Sequence, residues 1–338
     1  MHRPGAGGRS PTCSTRGFRV NHPSFQSQPK EAPLTILLAS YQGADFISAQ
    51  LRSIAKQTLG NWRLIVSDDG SSDGTPDIVA KFATDCAPGQ VQVVSGPCQG
   101  ATQNFLHLLS IAPDGPVAFC DQDDVWFPDK LARAMVALSA QDGPAHYAAR
   151  TVITDAALNP VAPSRHFRRP LGFRNALVQA IMAGNTSVFN APAAAILKQC
   201  VAPAQNHRIP SHDWWAYQIT SGAGAVLIHD ATPALFYRQH ARSEMGRNDT
   251  LAAMTQRAGM LMSGDYAVWL GRNHAALDAV TTVFRPENRR ILDRLGDALC
   301  QPGPYAAATM MRTGLYRQTR TGTAALYAAA LMGRLRQP

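Results

Sequence analysis

The chain has 338 residues, of which 45% are hydrophobic and 16% charged, so it contains enough apolar material for a large core. Its net charge of +9 is not accompanied by a nucleic-acid recognition motif or a zinc-type cysteine spacing. An anionic substrate or an acidic membrane surface explains that charge better. The apolar runs are far shorter than the roughly 18 residues of a transmembrane helix.

The beginning of the chain is basic and rich in glycine, proline and serine. Residues 1–30 carry arginine and lysine without one acid, and they lack the apolar centre of a secretory signal peptide. We therefore expect residues 1–31 to be a disordered basic tail, followed by a main folded domain at 32–246 and a helical region at 247–338. The six cysteines show no disulfide framework, which favours a reducing cytoplasm.

From Leu34 onward, short apolar runs alternate with segments of helical periodicity. Proline is well placed in the first turn of the second helix, at Pro76, and the third helix is predicted to open at Gly100. This alternation predicts an α/β fold, with a Rossmann-like, mostly parallel central sheet flanked by helices on both faces. The predicted strands are Leu34–Ala39, Trp62–Val66, Val91–Val94 and Val117–Cys120.

The second half of the chain is less regular. The pattern predicts a helix over Leu131–Leu138, one strand within Ala148–Thr154, and a helix capped by Ser211. Another strand is predicted near Ala225–Ile228, and the chain beyond Asn248 is mainly helical. Because 298–338 holds five arginines and no acid, we predict that this end contacts the membrane or a partner, with ordinary packing as the alternative.

Polar clusters follow each of the first four predicted strands. Ligands of parallel sheets bind beyond the carboxyl ends of the strands, where these clusters are expected to meet. Three carboxylates in four positions repel one another unless a cation neutralises them, and Mg²⁺ prefers a few carboxylates together with substrate phosphates. A solvated acidic turn is the alternative. The clusters are Ser40-Tyr41, Asp68-Asp69, Ser95-Gly96 and Asp121 to Asp124.

Five ordered motifs resemble the family 2 glycosyltransferases of GT-A fold, and in particular bacterial rhamnosyltransferase-like members. The resemblance covers roughly Leu34 to Gly246. It rests on Ala39-Ser40-Tyr41-Gln42, Ser67-Asp68-Asp69-Gly70-Ser71, Asp121-Gln122-Asp123-Asp124-Val125-Trp126, Ser211-His212-Asp213-Trp214-Trp215 and Tyr237-Arg238-Gln239-His240.

The resemblance implies that a nucleotide-diphosphate sugar and a Mg²⁺ or Mn²⁺ ion bind this chain. It implies metal ligands among Asp123, Asp124 and His240, and leaves open which aspartate binds the ion directly. The nucleotide-binding residues that it implies are Ser40, Tyr41, Asp69, Asn104, Asp121 and Gln122. Among these, Asp69 would accept the imide N–H of uracil or thymine, and Asp121 would contact the ribose.

The acceptor hydroxyl needs a general base, and the resemblance assigns that role to Asp213. His212 is the alternative base, and Trp214 and Trp215 either line the sugar pocket or pack in the core. One base acting in a single displacement inverts the anomeric carbon.

The function implied is transfer of a sugar, with rhamnose from dTDP-rhamnose favoured over a UDP-linked donor, to a growing cell-surface polysaccharide or glycolipid. We expect a cytoplasmic protein without nucleic-acid partners, peripheral at the inner face of the plasma membrane. Two alternatives are a non-catalytic nucleotide-sugar-binding protein of this fold and a haloacid-dehalogenase-like phosphatase with Asp121 as nucleophile.

Overall fold

The first strand lies inside a seven-stranded sheet, between the second and fourth strands. We describe a computed structural model, which covers residues 32–240 and 264–337. All seven residues of β1 are buried, because helices cover both faces of the sheet there. The parallel strands are β1 (Leu34–Ser40), β2 (Trp62–Asp68), β3 (Val91–Ser95) and β4 (Val117–Asp121), and the helices between them are α1 (Ile47–Ala55), α2 (Thr75–Thr84) and α3 (Ala101–Ile111). The predicted Rossmann-like order is confirmed.

One short antiparallel strand interrupts the parallel order. The sheet runs β10-β6-β9-β4-β1-β2-β3, and β9 (Val188–Phe189) lies antiparallel between β4 and β6. The outer pair, β6 (Ala145–Ala149) and β10 (Val226–Asp230), is again parallel. The sheet is therefore mostly parallel, as expected.

A second sheet of four short strands lies beyond the acidic motif. Its order is β5 (Val125–Trp126), β11 (Leu235–Arg238), β7 (Val152–Thr154) and β8 (Pro160–Pro163). The strand predicted within Ala148–Thr154 is thus two strands in two different sheets. Because β11 pairs with β5, the strand that leads to His240 is held against the strand that follows Asp124.

The remaining helices pack around the larger sheet. Four of them, α9 to α12, confirm the predicted helical character of the described part of the C-terminal region. The residues predicted as a basic tail (1–31) and residues 241–263 lie outside the described part of the chain. The helices are α4 (Lys130–Ser139), α5 (Phe173–Ala176), α6 (Ala191–Gln199), α7 (Val201–Asn206), α8 (His212–Gly222), α9 (Asp265–Asp278), α10 (Pro286–Cys300), α11 (Gly303–Thr313) and α12 (Arg320–Leu331).

The C-terminal helices share a hydrophobic core with the sheet. One cluster of buried side chains joins Phe105 of α3, Trp215 of α8, Leu292 of α10 and Leu326 of α12. Packing against the catalytic fold therefore accounts for the buried face of these helices. Within 32–240 and 264–337, no helix combines the length and hydropathy needed to cross a bilayer.

Candidate active site

The structure brings the four polar clusters to one edge of the large sheet. In the strand register, Ser40 lies beside Asp68, Ala39 beside Asp121, and Asp68 beside Ser95. The last residues of β1, β2, β3 and β4 therefore end at the same level. This edge is where ligands of such sheets bind.

Asp68 and Ser40 organise the loop that follows β2. Asp68 Oδ2 accepts hydrogen bonds from Ser40 Oγ at 2.9 Å and from Ser71 Oγ at 2.7 Å, and its Oδ1 accepts from the Ser71 N–H. Ser40 is buried, whereas the side chain of Tyr41 is 56% exposed. Of these two predicted base-flanking residues, Tyr41 is the one with surface available for stacking.

Asp69 holds the loop that leads into α3. Its Oδ1 accepts from the Cys98 N–H at 2.6 Å and its Oδ2 from the Gly100 N–H at 2.8 Å. Each carboxylate oxygen keeps a second lone pair, so a uracil or thymine imide can still donate to it. Asn104 is buried beneath this loop and donates to the Ser67 carbonyl. Its amide therefore joins the start of α3 to the end of β2.

Gln122 ties the acidic motif to the loop after β1. Its Oε1 accepts from the Tyr41 N–H at 2.9 Å, and its Nε2 donates to the Tyr41 carbonyl at 2.8 Å. A Cβ at Gly43 would overlap the amide group of Gln122, so a larger residue there would displace this side chain. The amide of Gln122 is thus engaged with protein backbone, which gives it a role in positioning Tyr41.

Asp123 and His240 form a polar pair whose side chains are 20% and 10% exposed. Their side chains meet at 2.8 Å, between His240 Nε2 and Asp123 Oδ2. The imidazole stacks on Phe46, with ring centroids 4.4 Å apart, and Arg238 Nε donates to the Asp123 carbonyl. The pairing of β11 with β5 brings together these residues from distant parts of the chain.

Asp124 points the other way, into the protein. Its side chain is fully buried, and its Oδ2 accepts from Asn185 Nδ2 at 2.7 Å. Burial raises the pKa of Asp124 well above its usual range, and the Asp123 and Asp121 carboxylates act in the same direction. Lys130 is also fully buried, and its Nζ donates to the Asn185 carbonyl at 2.8 Å and lies 3.1 Å from the centre of the Trp126 ring. Burial lowers the pKa of Lys130 to about 7.

Of the three predicted metal ligands, the structure brings two together. In the described ranges, no set of three or more His, Cys, Asp or Glu side chains is arranged to hold a metal ion. The Asp123–His240 pair nevertheless fits a cation that takes its remaining ligands from a diphosphate and water, which is how Mg²⁺ usually binds in such sites. The pair supplies a carboxylate oxygen and an imidazole nitrogen, while Asp124 faces Asn185 instead.

Asp213 lies at the beginning of α8. Its Oδ2 accepts from the Gly184 N–H at 3.3 Å, and its Oδ1 accepts from the Trp214 N–H at 2.6 Å and from the Ser211 hydroxyl. Ser211 occupies the predicted cap position, but its hydroxyl donates to Asp213 and does not cap the helix. The half-buried carboxylate is therefore held by three donors while part of it stays accessible.

His212 is turned into the aromatic core. Its ring stacks on Phe105, with centroids 3.9 Å apart, and meets the edge of Phe119. Burial lowers the pKa of His212 to about 4, although the Asp213 carboxylate opposes that shift. This environment favours Asp213 over His212 as the base. Trp214 and Trp215 are both buried and belong to the core.

Comparison with known proteins identifies the family. Residues 35–201 match the family described as Glycosyl transferase family 2. The chain is a family 2 glycosyltransferase. This match leaves no support for the phosphatase hypothesis built on Asp121. The acidic motif and Asp69 lie inside the matched range, whereas Asp213 and His240 lie beyond it.

Two curated relatives are bacterial sugar transferases. The transferase is 24% identical to the dTDP-rhamnosyl transferase RfbG of Shigella flexneri over 68% of this chain and 80% of that protein. It is 34% identical to the UDP-Glc:alpha-D-GlcNAc-diphosphoundecaprenol beta-1,3-glucosyltransferase WfgD of Escherichia coli over 29% of this chain and 38% of that protein. The second alignment thus spans well under half of the relative's length.

A solved structure shows the same fold. The transferase superposes on S. aureus TarS (residues 1–349), crystallised with UDP-GlcNAc, with a TM-score of 0.51. The superposition covers 89% of this chain and 90% of that chain at 14% identity. The GT-A fold predicted from the sequence is confirmed.

Two buried residues of the site, Lys130 and Asn185, were missed by sequence reasoning. Lys130 follows Pro128 and Asp129 and resembles a surface charge that opens a helix. The available signal was its spacing, because Lys130, Ala134 and Leu138 lie at i, i+4 and i+8 on the buried face of α4.

Proposed function

We propose that this glycosyltransferase is an inverting, metal-dependent enzyme that moves a sugar from a pyrimidine nucleotide-diphosphate donor to a saccharide or lipid-linked saccharide of the cell surface. One observation carries the proposal. Adjacent residues of a single turn contact the acidic motif and the predicted base, Asn185 at Asp124 and Gly184 at Asp213. Because consecutive Cα atoms are only about 3.8 Å apart, leaving-group and acceptor chemistry would occur side by side.

The chain's own residues supply binding and proton transfer. A bound Mg²⁺ or Mn²⁺ would act as a Lewis acid for the departing diphosphate. Asp123 and His240 would hold that ion, and their 2.8 Å contact supports Asp123 over Asp124 as the direct ligand. Asp121 ends β4 beside them, in the position expected for a ribose contact.

Asp69 and Tyr41 would recognise the donor, and Asp213 would deprotonate the acceptor. Asp69 would accept the imide N–H of the base, which stacks on the exposed ring of Tyr41. Asp213 would take the proton from the acceptor hydroxyl as that oxygen attacks the anomeric carbon from the face opposite the diphosphate. One such displacement inverts the configuration at this carbon.

We favour dTDP-rhamnose as the donor, with UDP-linked sugars second. The relative RfbG is named a dTDP-rhamnosyl transferase and aligns over 68% of this chain. A panel of dTDP-rhamnose, UDP-glucose, UDP-GlcNAc and GDP-mannose, each with Mg²⁺ or Mn²⁺, tests the choice. Binding and hydrolysis of a pyrimidine donor are expected, and turnover of GDP-mannose alone would refute the assignment of Asp69.

Asp213→Asn tests catalysis against mere binding of a nucleotide sugar. The variant should bind the donor with unchanged affinity and lose transfer by about 10²–10⁴-fold, which is the usual contribution of a general base. Asp297→Asn, on the exposed side of α10, is the matched control and should keep full activity. Equal activity of Asp213→Asn and wild type would remove the base assignment.

We also propose that the C-terminal helices contact an anionic membrane. Residues 298–337 contain five arginines and no acid, and four large apolar side chains in this region are about half exposed: Tyr305, Met311, Leu331 and Met332. A basic surface with exposed apolar side chains is the composition that lies on anionic lipid.

Sedimentation with vesicles tests the membrane contact. The protein should bind phosphatidylglycerol vesicles and should not bind phosphatidylcholine vesicles. Arg334→Gln/Arg336→Gln should weaken that binding, because each basic residue near the surface contributes about 1 kcal/mol. Arg290→Gln/Arg294→Gln, on the acid-containing α10, removes the same charge elsewhere. Equal binding by both double variants would refute the proposed surface.

A further inference from the structure

The turn at Gly184–Thr186 connects the two halves of the active site. This 3₁₀ turn directly precedes β9, the short antiparallel strand between β4 and β6. The Asn185 side chain donates to Asp124, and the Asn185 carbonyl accepts from Lys130. The neighbouring Gly184 N–H donates to Asp213.

The contacts of Asn185 are shielded from water. Asn185 is 5% exposed, and Asp124 and Lys130 are each 0% exposed. Burying a carboxyl or ammonium group without a hydrogen-bond partner costs folding free energy. Removing one of these three residues would therefore leave the polar groups of the other two without a partner. Among the described side chains, none donates to the other oxygen of Asp124, Oδ1. Asn185 is therefore the hydrogen-bond donor that fixes this carboxyl group.

Asp123 and Asp124 are consecutive residues whose side chains are held by different partners. Asp124 is anchored inward at 2.7 Å from Asn185, while Asp123 next to it meets His240 at 2.8 Å. If the anchor at Asp124 is removed, the short segment between β4 and β5 can rotate, and Asp123 is no longer held toward His240. The backbone at Asp123 has one further anchor, the bond from Arg238 to its carbonyl.

We propose that Asn185 is a positioning residue for the metal site: it holds Asp124 inward so that Asp123 and His240 face the ion. This inference rests on the proposed function, because it takes the Asp123–His240 pair to be the metal-binding pair. Residues that orient metal ligands in this way usually contribute 10–100-fold to metal affinity.

Binding of Mn²⁺ to the protein in the presence of UDP tests the inference, measured from the EPR signal of free Mn²⁺. Asn185→Ala should weaken Mn²⁺ binding by about 10–100-fold. Asn185→Leu keeps most of the side-chain volume and should show the same loss, because it also lacks the amide donor. It also serves as the test should Asn185→Ala fail to fold.

Asn190→Ala is the matched control. Asn190 lies five residues further along, caps α6, and makes hydrogen bonds to Gly143, Ala145 and Ala193 without touching the acidic motif. It should lower the free energy of unfolding and leave the Mn²⁺ affinity within about twofold of wild type.

The outcomes separate the inference from the proposed function. Wild-type Mn²⁺ affinity in Asn185→Ala or Asn185→Leu would overturn the positioning role and leave the metal assignment intact. An equal loss in Asn190→Ala would also overturn it, by showing a general effect of destabilisation. Failure of the wild-type protein to bind Mn²⁺ with either UDP or dTDP would remove the metal assignment and the inference together.

Discussion

Replacement of Asp69 by asparagine tests whether this carboxylate holds the loop that leads into α3. Its two oxygens accept the Cys98 and Gly100 N–H groups at 2.6 and 2.8 Å, and the side chain is buried. Asparagine can accept one of these bonds, but its NH₂ group then faces the other N–H. One charge-assisted bond, worth about 1.5–3 kcal/mol, is lost, and one partly buried N–H donor then faces the amide NH₂ group. We expect the free energy of unfolding to fall by about 2–4 kcal/mol.

Urea unfolding followed by circular dichroism measures this change. Asp142→Asn, on an exposed loop, is the control and should alter the free energy of unfolding by less than about 0.5 kcal/mol. If Asp69→Asn is as stable as that control, the carboxylate does not hold the loop. UDP binding measured by calorimetry adds a second result, and we expect at least about a tenfold loss, since the amide nitrogen would face the imide N–H. Reduced stability with unchanged UDP affinity would mean that Asp69 builds the loop without reading the base.

Three further changes act through packing and proton binding. Gly184→Ala should lower kcat by about 10²-fold, because its Cβ would lie 2.7 Å from His212 Nε2 and 3.2 Å from Asp213 Cβ and so displace the base. Gly303→Ala should lower the free energy of unfolding by about 1–3 kcal/mol, since its Cβ would overlap the Leu331 carbonyl and separate α11 from α12. Burial lowers the pKa of His146 from 6.5 to about 3, so the unfolded chain binds a proton that the folded protein excludes, and stability falls as pH decreases between these values. Between pH 6.5 and pH 5, the free energy of unfolding of His146→Gln should fall by about 2 kcal/mol less than that of the wild type.

Each of these variants has a control within the same chain. Gly143→Ala places a methyl group where nothing lies within 4 Å, and it should leave both kcat and stability unchanged. If Gly184→Ala or Gly303→Ala behaves like Gly143→Ala, the corresponding close approach has no consequence. His207 is exposed on the surface, so His207→Gln should keep the acid sensitivity of the wild type. If the free energy of unfolding of His146→Gln depends on pH as steeply as that of the wild type, another group binds the proton.

The strands β1 and β4 could be predicted because burial on both faces leaves a continuous apolar run, whereas the edge strand β3 is largely exposed and was recognised by its valines. The predicted strand beginning at Leu34 differs from β1 by one residue at its end, and the same holds for Val91 and Val117. The strand within Ala148–Thr154 was wrongly predicted as one. The break falls at Arg150 and Thr151, between β6, which pairs with β10, and β7, which pairs with β8 and β11. The local sequence does not show which strands a segment will pair with.

The site was partly predictable for a related reason. Residues at the ends of adjacent strands must meet, so the positions of Asp69 and Asp121 followed from strand order. The opposite directions of Asp123 and Asp124 did not, because they depend on Asn185 and His240, 61 and 117 residues further along the chain. Two-residue strands such as β5 and β9 bring these groups together, and an apolar pair of that length gives no periodic signal.

Two hydrogen bonds join the Gln122 amide to the Tyr41 backbone, and the same amide lies close to the Cα of Gly43, so positions 43 and 122 are sterically linked. Grafting the loop after β1 from another transferase, in order to change which nucleotide is accepted, would bring a new residue against Gln122. A successful chimera must therefore exchange positions 43 and 122 together. Directed evolution that randomises position 43 alone should favour glycine as long as Gln122 keeps its two bonds to Tyr41.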